Sequence, residues 1–127
     1  MSPQTPANNP QGFVLWSKCV PPGGLTEKAL FDNHTLSISH RDKGGLTEVH
    51  DKFVDVMVIQ SGEATHVVGG KVIEPTASEP GGKSIQGGLT RKLQASDVIH
   101  IPTKMPHQFF IPSGGQIAYV LIKLSTN

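Results

Sequence analysis

EVHDKFVDVMVIQSG, residues 48–62, is the stretch whose reading decides the fold. Val54, Val56 and Val58 alternate with Asp55, Met57 and Ile59, which is the period of a β-strand. Glu48 and His50 stand two apart, so on an extended chain they project from the same face. Asp55 follows after an expected break near Asp51-Lys52, and Ser61-Gly62 reads as a turn. Three oxygen or imidazole donors thus lie beside a strongly apolar strand. A second stretch, SDVIHIPTKMPHQFF at 96–110, runs a strand into a proline-bounded turn, and His107 opens the strand that follows.

Outward from these two segments the chain keeps reading as strands. Thr35 to Ser39 alternates with period two, and Val98–Ile101, His107–Ile111 and Ile117–Leu124 are further strands. Thr65–Val68 and Lys71–Ile73 flank Gly69-Gly70, a hairpin signal. Leu25–Phe31 offers the only plausible helical turn. Residues 74–90 are rich in Gly, Pro and Ser and read as a long loop or lid. Residues 1–12 carry three prolines and read as a flexible arm, leaving 13–127 as a single domain. Short strands separated by frequent turns predict an all-β sandwich or small barrel.

Composition narrows the function classes. The chain has 127 residues, enough for one domain, and 36% of them are hydrophobic. Eleven basic against ten acidic residues leave a formal charge of +1, which argues against nucleic acid or an anionic membrane surface as the main partner. No apolar run is long enough to span a bilayer as a helix, and the N-terminal residues do not read as a secretory signal, so a cytoplasmic location is expected. One cysteine, Cys19, cannot form an internal disulfide. It lies outside both segments and carries no catalytic expectation. Six histidines stand beside one Tyr and one Trp, and they are the feature to follow.

The two segments resemble the paired motifs of the cupin superfamily. The first motif of that family runs Gly, five residues, His-x-His, three or four residues, Glu, six residues, Gly. Here Asp42 takes the first Gly, Glu48 the first His, His50 the second, Asp55 the Glu and Gly62 the last Gly. The second motif runs Gly, five residues, Pro-x-Gly, two residues, His, three residues, Asn. Ser96, Pro102, Lys104, His107 and Ile111 stand at its positions. The spacing is kept throughout and several identities differ.

The resemblance implies a double-stranded β-helix, or jelly roll, with a pocket at its mouth and a divalent metal in it. Carried over residue by residue, the metal ligands are Glu48, His50, Asp55 and His107. Two imidazoles with two carboxylates suit Fe(II), Mn(II), Zn(II) or Ni(II), with the carboxylates hardening the site. Asp55 is one methylene shorter than Glu, so it reads as a ligand, a ligand through water, or a group holding His50 or His107. The resemblance also implies a homodimer, and Phe13–Trp16 on its arm could serve it.

Other residues carry open readings. His100 is a candidate acid–base group if its side of the strand is the pocket, and a surface residue otherwise. His66 poses the same question, and His34 and His40 are given no role. Lys52 and Lys104 could meet an anionic substrate at the pocket mouth or simply be solvated. The functions that follow are a metal-dependent enzyme on a small polar molecule, with isomerase, lyase or dioxygenase chemistry, a non-catalytic binding cupin, and a degenerate metal-free one.

Overall fold

The structure is a computed structural model and describes residues 11–17, 26–75 and 82–126. Nine strands account for its regular elements: β1 Thr26–Leu30, β2 His34–Arg41, β3 Phe53–Val68, β4 Lys71–Ile73, β5 Ser84–Gln86, β6 Leu89–Gln94, β7 Val98–Ile101, β8 His107–Phe110 and β9 Ile117–Ser125. The all-β expectation therefore holds. Cys19 and residues 1–10 of the expected arm lie outside the described residues. No helix among the described residues is long and apolar enough to cross a membrane.

β3 is the spine. Its first half pairs antiparallel with β9 on one side and β7 on the other, and its second half pairs with β6 and β8. The change of sheet comes at a register shift between Ile59 and Ser61. Gly62 sits there at φ 79°, where an added Cβ would collide with the backbone carbonyl of Gln116. A bulge of this kind bends a strand and sharpens its twist. Ser61-Gly62 is thus a corner inside one long strand and not the expected turn between two, because pairing on both flanks carries the chain through it. β1 and β2 extend the first sheet beyond β9 in the order β1-β2-β9-β3.

Three further expectations are corrected. Thr26–Leu30 is a strand and not a helical turn. It pairs residue for residue with β2, from Thr26 opposite Ser39 to Leu30 opposite Thr35, and this tertiary pairing overrides weak local helix preference. Gly69-Gly70 does turn the chain, but β3 and β4 do not form its hairpin. β4 pairs with β5, while β6 takes the place beside β3. The stretch 74–90 is not one loop, since it contains β5 and the start of β6.

The core fills the space between the two sheets. Met57, Ile59, Ala64, Leu93, Ile101, Phe109, Ile117 and Tyr119 form one buried cluster. Phe109 stacks between His66 and Tyr119, with ring centroids 4.7 and 5.6 Å away. Two backbone positions link the fold to the motif spacing. Ser96 and Lys104 both adopt positive φ, 79° and 66°. They are two of the positions where the resembled pattern has glycine. The backbone conformation is kept although the residue that adopts it most readily is not there.

Candidate metal centre

Residues 45–50 are not a named strand, but they are tied to β8. Glu48 and His107 exchange backbone hydrogen bonds, each of 3.0 Å, and Gly45 N–H donates to Phe109 O at 3.2 Å. Lys104 N–H donates to His50 O at 2.7 Å. Thr47 Oγ1 donates to Gln108 Oε1 at 2.7 Å, and Gln108 Nε2 donates to Gly45 O. This lacing sets Glu48 and His50 against His107 even though the residues lie far apart in the chain.

The donor atoms of Glu48, His50 and His107 all lie within 4.8 Å of one another. Asp55 reaches the same point from β3. Its Oδ2 is 3.5 Å from His50 Nε2 and 3.6 Å from His107 Nε2. The Asp55 and His107 side chains are 5% and 6% exposed, whereas Glu48 lies at the edge. All four residues named from the motif spacing face one cavity of about 310 Å³.

The imidazoles are set for ligation. His107 Nδ1–H donates to Met105 O at 3.0 Å, which leaves the Nε2 lone pair aimed at Asp55. Burial, and then the nearby Lys123, hold His50 below the ordinary imidazole range. The neutral ring is the form a cation binds. Asp55 Oδ1 is buried and accepts no hydrogen bond. A buried carboxylate oxygen without a hydrogen bond is costly, and a cation beside it, the Lys123 ammonium 3.6 Å away or a bound metal ion, offsets that cost.

Sequence reasoning missed Lys123. Its ammonium donates to His50 Nε2 at 3.1 Å and stands 3.6 Å from Asp55 Oδ1. Register explains the meeting, since Lys123 on β9 lies directly across from Asp55 on β3. Lys123 also packs over the Phe53 ring, 5.9 Å from its centroid. Tyr119 was missed too. It is 6% exposed, lines the same cavity, and burial pushes its phenol above the ordinary range.

Other candidates fall elsewhere. His100 is exposed and lies opposite Val56, on the face of the first sheet turned away from the cavity. Asp55 and Met57, the strand neighbours of Val56, face inward, so alternation places His100 outside, where it is a surface residue and not an acid–base group of the cavity. Lys52 and Lys104 are exposed and do not line the cavity. The cavity's cations besides Lys123 are Lys28 and Arg41. His66 is buried behind His107, with ring centroids 6.2 Å apart, and burial lowers its pKa to about 4. His34 stacks on Phe31 and its Nδ1 lies 2.7 Å from Asn33 Oδ1, away from the site.

No protein-family profile matches the sequence, and no curated protein does. Solved structures do match. A protein with a double-stranded β-helix domain from Klebsiella pneumoniae aligns over 89% of this chain and 90% of its own, at 17% identity and a TM-score of 0.62. A cupin protein from Bacteroides fragilis aligns over 76% of this chain and 70% of its own, at 18% identity and a TM-score of 0.54. The polyketide cyclase RemF from Streptomyces resistomycificus aligns over 76% of this chain and 57% of its own, at 14% identity and a TM-score of 0.54. Sheet order, site geometry and these likenesses agree that the chain adopts the double-stranded β-helix fold of the cupins.

Proposed function

We propose that this cupin-fold chain holds a divalent metal ion with Glu48, His50 and His107, supported or joined by Asp55, and acts there on a small polar organic molecule. The observation that carries the reading is the convergence of three donor atoms within 4.8 Å, with Asp55 touching both imidazoles. Two imidazoles and two carboxylates suit a hard or borderline divalent ion such as Fe(II), Mn(II), Zn(II) or Ni(II). When bound, such an ion supplies Lewis-acid polarisation of a substrate oxygen or, as Fe(II), a redox centre.

The chain's own residues supply the rest. Met105 O, accepting from His107 Nδ1–H, and Lys123, donating to His50 Nε2, set the two imidazoles, and buried Asp55 faces both from one point. Met57, Phe109 and Leu121 give the cavity an apolar floor beneath its polar walls. Tyr119 keeps its proton, because burial raises its pKa, and so offers an O–H donor inside the cavity. An isomerase or lyase would use that donor on a developing oxyanion.

A second reading rests on Lys123. Its ammonium already serves as a cation for Asp55 and His50, which is how a metal-free relative of the fold would neutralise this pocket. The deciding experiment is metal analysis of untagged protein purified without added metal, beside the Glu48→Ala/His50→Ala double variant. Metal in the parent and not in the variant supports the first reading. Near-zero metal in both, with no difference on adding Mn(II) or Zn(II), refutes it in favour of the second. Pairing of two copies stays part of the proposal. Phe13 and Leu15 are 48% and 71% exposed on one chain, and sedimentation measures whether a second copy covers them.

A further inference from the structure

The cavity has a second wall that the metal reading does not use. Across the first sheet, the register aligns cavity-lining residues in rows, those of β1 exposed at its rim. Thr26, Ser39 and Tyr119 form one row, Lys28, Ser37 and Leu121 the next, and Leu30, Thr35, Lys123 and Asp55 the third. β1 and β2 thus face the ligand cluster with hydroxyls and cations. Ser37 and Ser39 are 4% and 8% exposed, and both line the cavity. Arg41 closes the same wall.

Charge is distributed unevenly. Lys28, Arg41 and Lys123 line the cavity against Glu48 and Asp55. Asp55 is engaged by Lys123, its Oδ1 3.6 Å from the ammonium, while its Oδ2 faces the two neutral imidazoles. Among the described residues, neither Lys28 nor Arg41 lies within 4.0 Å of a carboxylate. Tyr119 feels the positive charge of Arg41, which opposes the effect of burial on its phenol, and the Ser39 hydroxyl accepts a hydrogen bond from Thr26 Oγ1 at 3.3 Å. A divalent ion at the other end would make the whole cavity more positive still.

From this wall we infer that the cavity binds a small carboxylic acid, with its carboxylate held by Arg41 and Lys28 beside the Ser37 and Ser39 hydroxyls. The remainder of the molecule lies over Met57, Leu121 and Phe109 and points its other polar end toward His50 and His107. A guanidinium fork with adjacent hydroxyls matches a planar carboxylate. A phosphate dianion would carry more charge onto the same apolar floor at a greater desolvation cost. A neutral polyol would leave two cations in the cavity without counter-charge. The inference rests on reading the cavity as a small-molecule site, and it does not require the metal.

The test uses metal-stripped full-length protein and titration calorimetry with matched probes: lactate and lactamide, succinate and succinamide, benzoate and benzamide, and inorganic phosphate. At least one acid binds, and its amide binds about tenfold more weakly or worse, as loss of a charge-assisted contact requires. Arg41→Gln weakens the acid by about tenfold or more. Lys28→Ala, at an exposed edge-strand position, weakens it while the protein's circular dichroism stays that of the parent. Acid and amide binding alike, phosphate binding more tightly than every acid, no acid binding, or parental affinity in both folded variants each overturns the inference. The Glu48→Ala/His50→Ala variant separates the two proposals. Acid binding retained in it, with no metal taken up by the parent, leaves this inference standing and removes the metal. Metal uptake by the parent without acid binding does the reverse.

Discussion

Replacing Lys123 with Met keeps the reach of the side chain and removes its charge. The ammonium now donates to His50 Nε2 at 3.1 Å and lies 3.6 Å from Asp55 Oδ1. A metal bound by His50 and Asp55 needs those same lone pairs, so Lys123 and the ion compete. Two like unit charges about 4 Å apart repel by about 4 kcal/mol at an effective dielectric constant of about 20, and a divalent ion raises this. The full figure is a ceiling. The Lys123 side chain is 27% exposed, and its flexible stem can carry the ammonium toward water at a smaller cost. A residual gain of about 1.4–2.8 kcal/mol is expected in Lys123→Met, which tightens the metal Kd by about ten- to a hundredfold.

The pH dependence supplies a second reading of the same variant. Burial is the larger cause of the low His50 pKa and Lys123 the next. Without Lys123 the His50 pKa rises toward its ordinary value, so protons compete for Nε2 at higher pH. The gain in metal affinity is therefore largest above neutral pH and shrinks as pH falls. Zn(II) titration calorimetry against a chelator of known affinity measures the first effect, and NMR of the His50 ring measures the second. Equal or weaker metal binding by folded Lys123→Met above neutral pH refutes the competition, and so does an unmoved His50 titration.

Asp55→Asn keeps the shape and removes the charge that faces two imidazoles and Lys123; metal affinity should fall by about tenfold or more in the same calorimetric assay. Unchanged affinity would mean that Asp55 plays no part in holding the ion. Gly62→Ala should cost about 3 kcal/mol or more by urea denaturation, because positive φ and the Gln116 carbonyl both oppose a Cβ. Gly69→Ala is its control at φ 80° with nothing within 4 Å, and should cost only about 1 kcal/mol. His66 takes up a proton near 6.5 when unfolded and near about 4 when folded. The unfolded state therefore binds more protons between those values, and stability is lost by about 3 kcal/mol as pH falls through that window. His66→Phe, which keeps the stack on Phe109, should remove this part of the slope in metal-free protein, and an unaltered slope would argue against it.

Much of the framework was legible before any coordinates. The alternation at 54–59 and the stretches at 98–101, 107–111 and 117–124 all fall on strands, the 107–111 stretch ending one residue earlier at Phe110, because the three stretches each pair with β3, where the alternation lies. β1, β5 and β6 were not legible. Thr26–Leu30 and Leu89–Gln94 are mostly polar, and only the pairing with β2 and β3 makes them strands. The corner at Gly62 reads locally as a turn, and it takes flanking strands to show that the chain continues through it. In the site, Glu48, His50, Asp55 and His107 came from the resemblance to the paired cupin motifs. Lys28, Arg41, Tyr119 and Lys123 did not, although Thr35, Ser37, Ser39 and Arg41 alternate along β2 as a polar stripe that could have been read as a cavity wall.

The sequence by itself determined a β-rich chain by its alternation, and its resemblance to the paired cupin motifs pointed to the four residues that line one cavity. It could not determine sidedness. Period-two alternation says which residues share a face of a strand, but not which face is inside. His100 and Asp55 illustrate this: both sit in apolar strands beside proposed ligands, and the register of β3 with β7 turns one outward and the other inward. Nor could it place Lys123 against Asp55, since that contact exists only through the pairing of β3 with β9. Of the six histidines first singled out, tertiary structure gathers His50 and His107 at the candidate centre, buries His66 behind them and leaves His100 exposed. It also adds the cations whose competition with a metal ion is the property most open to measurement.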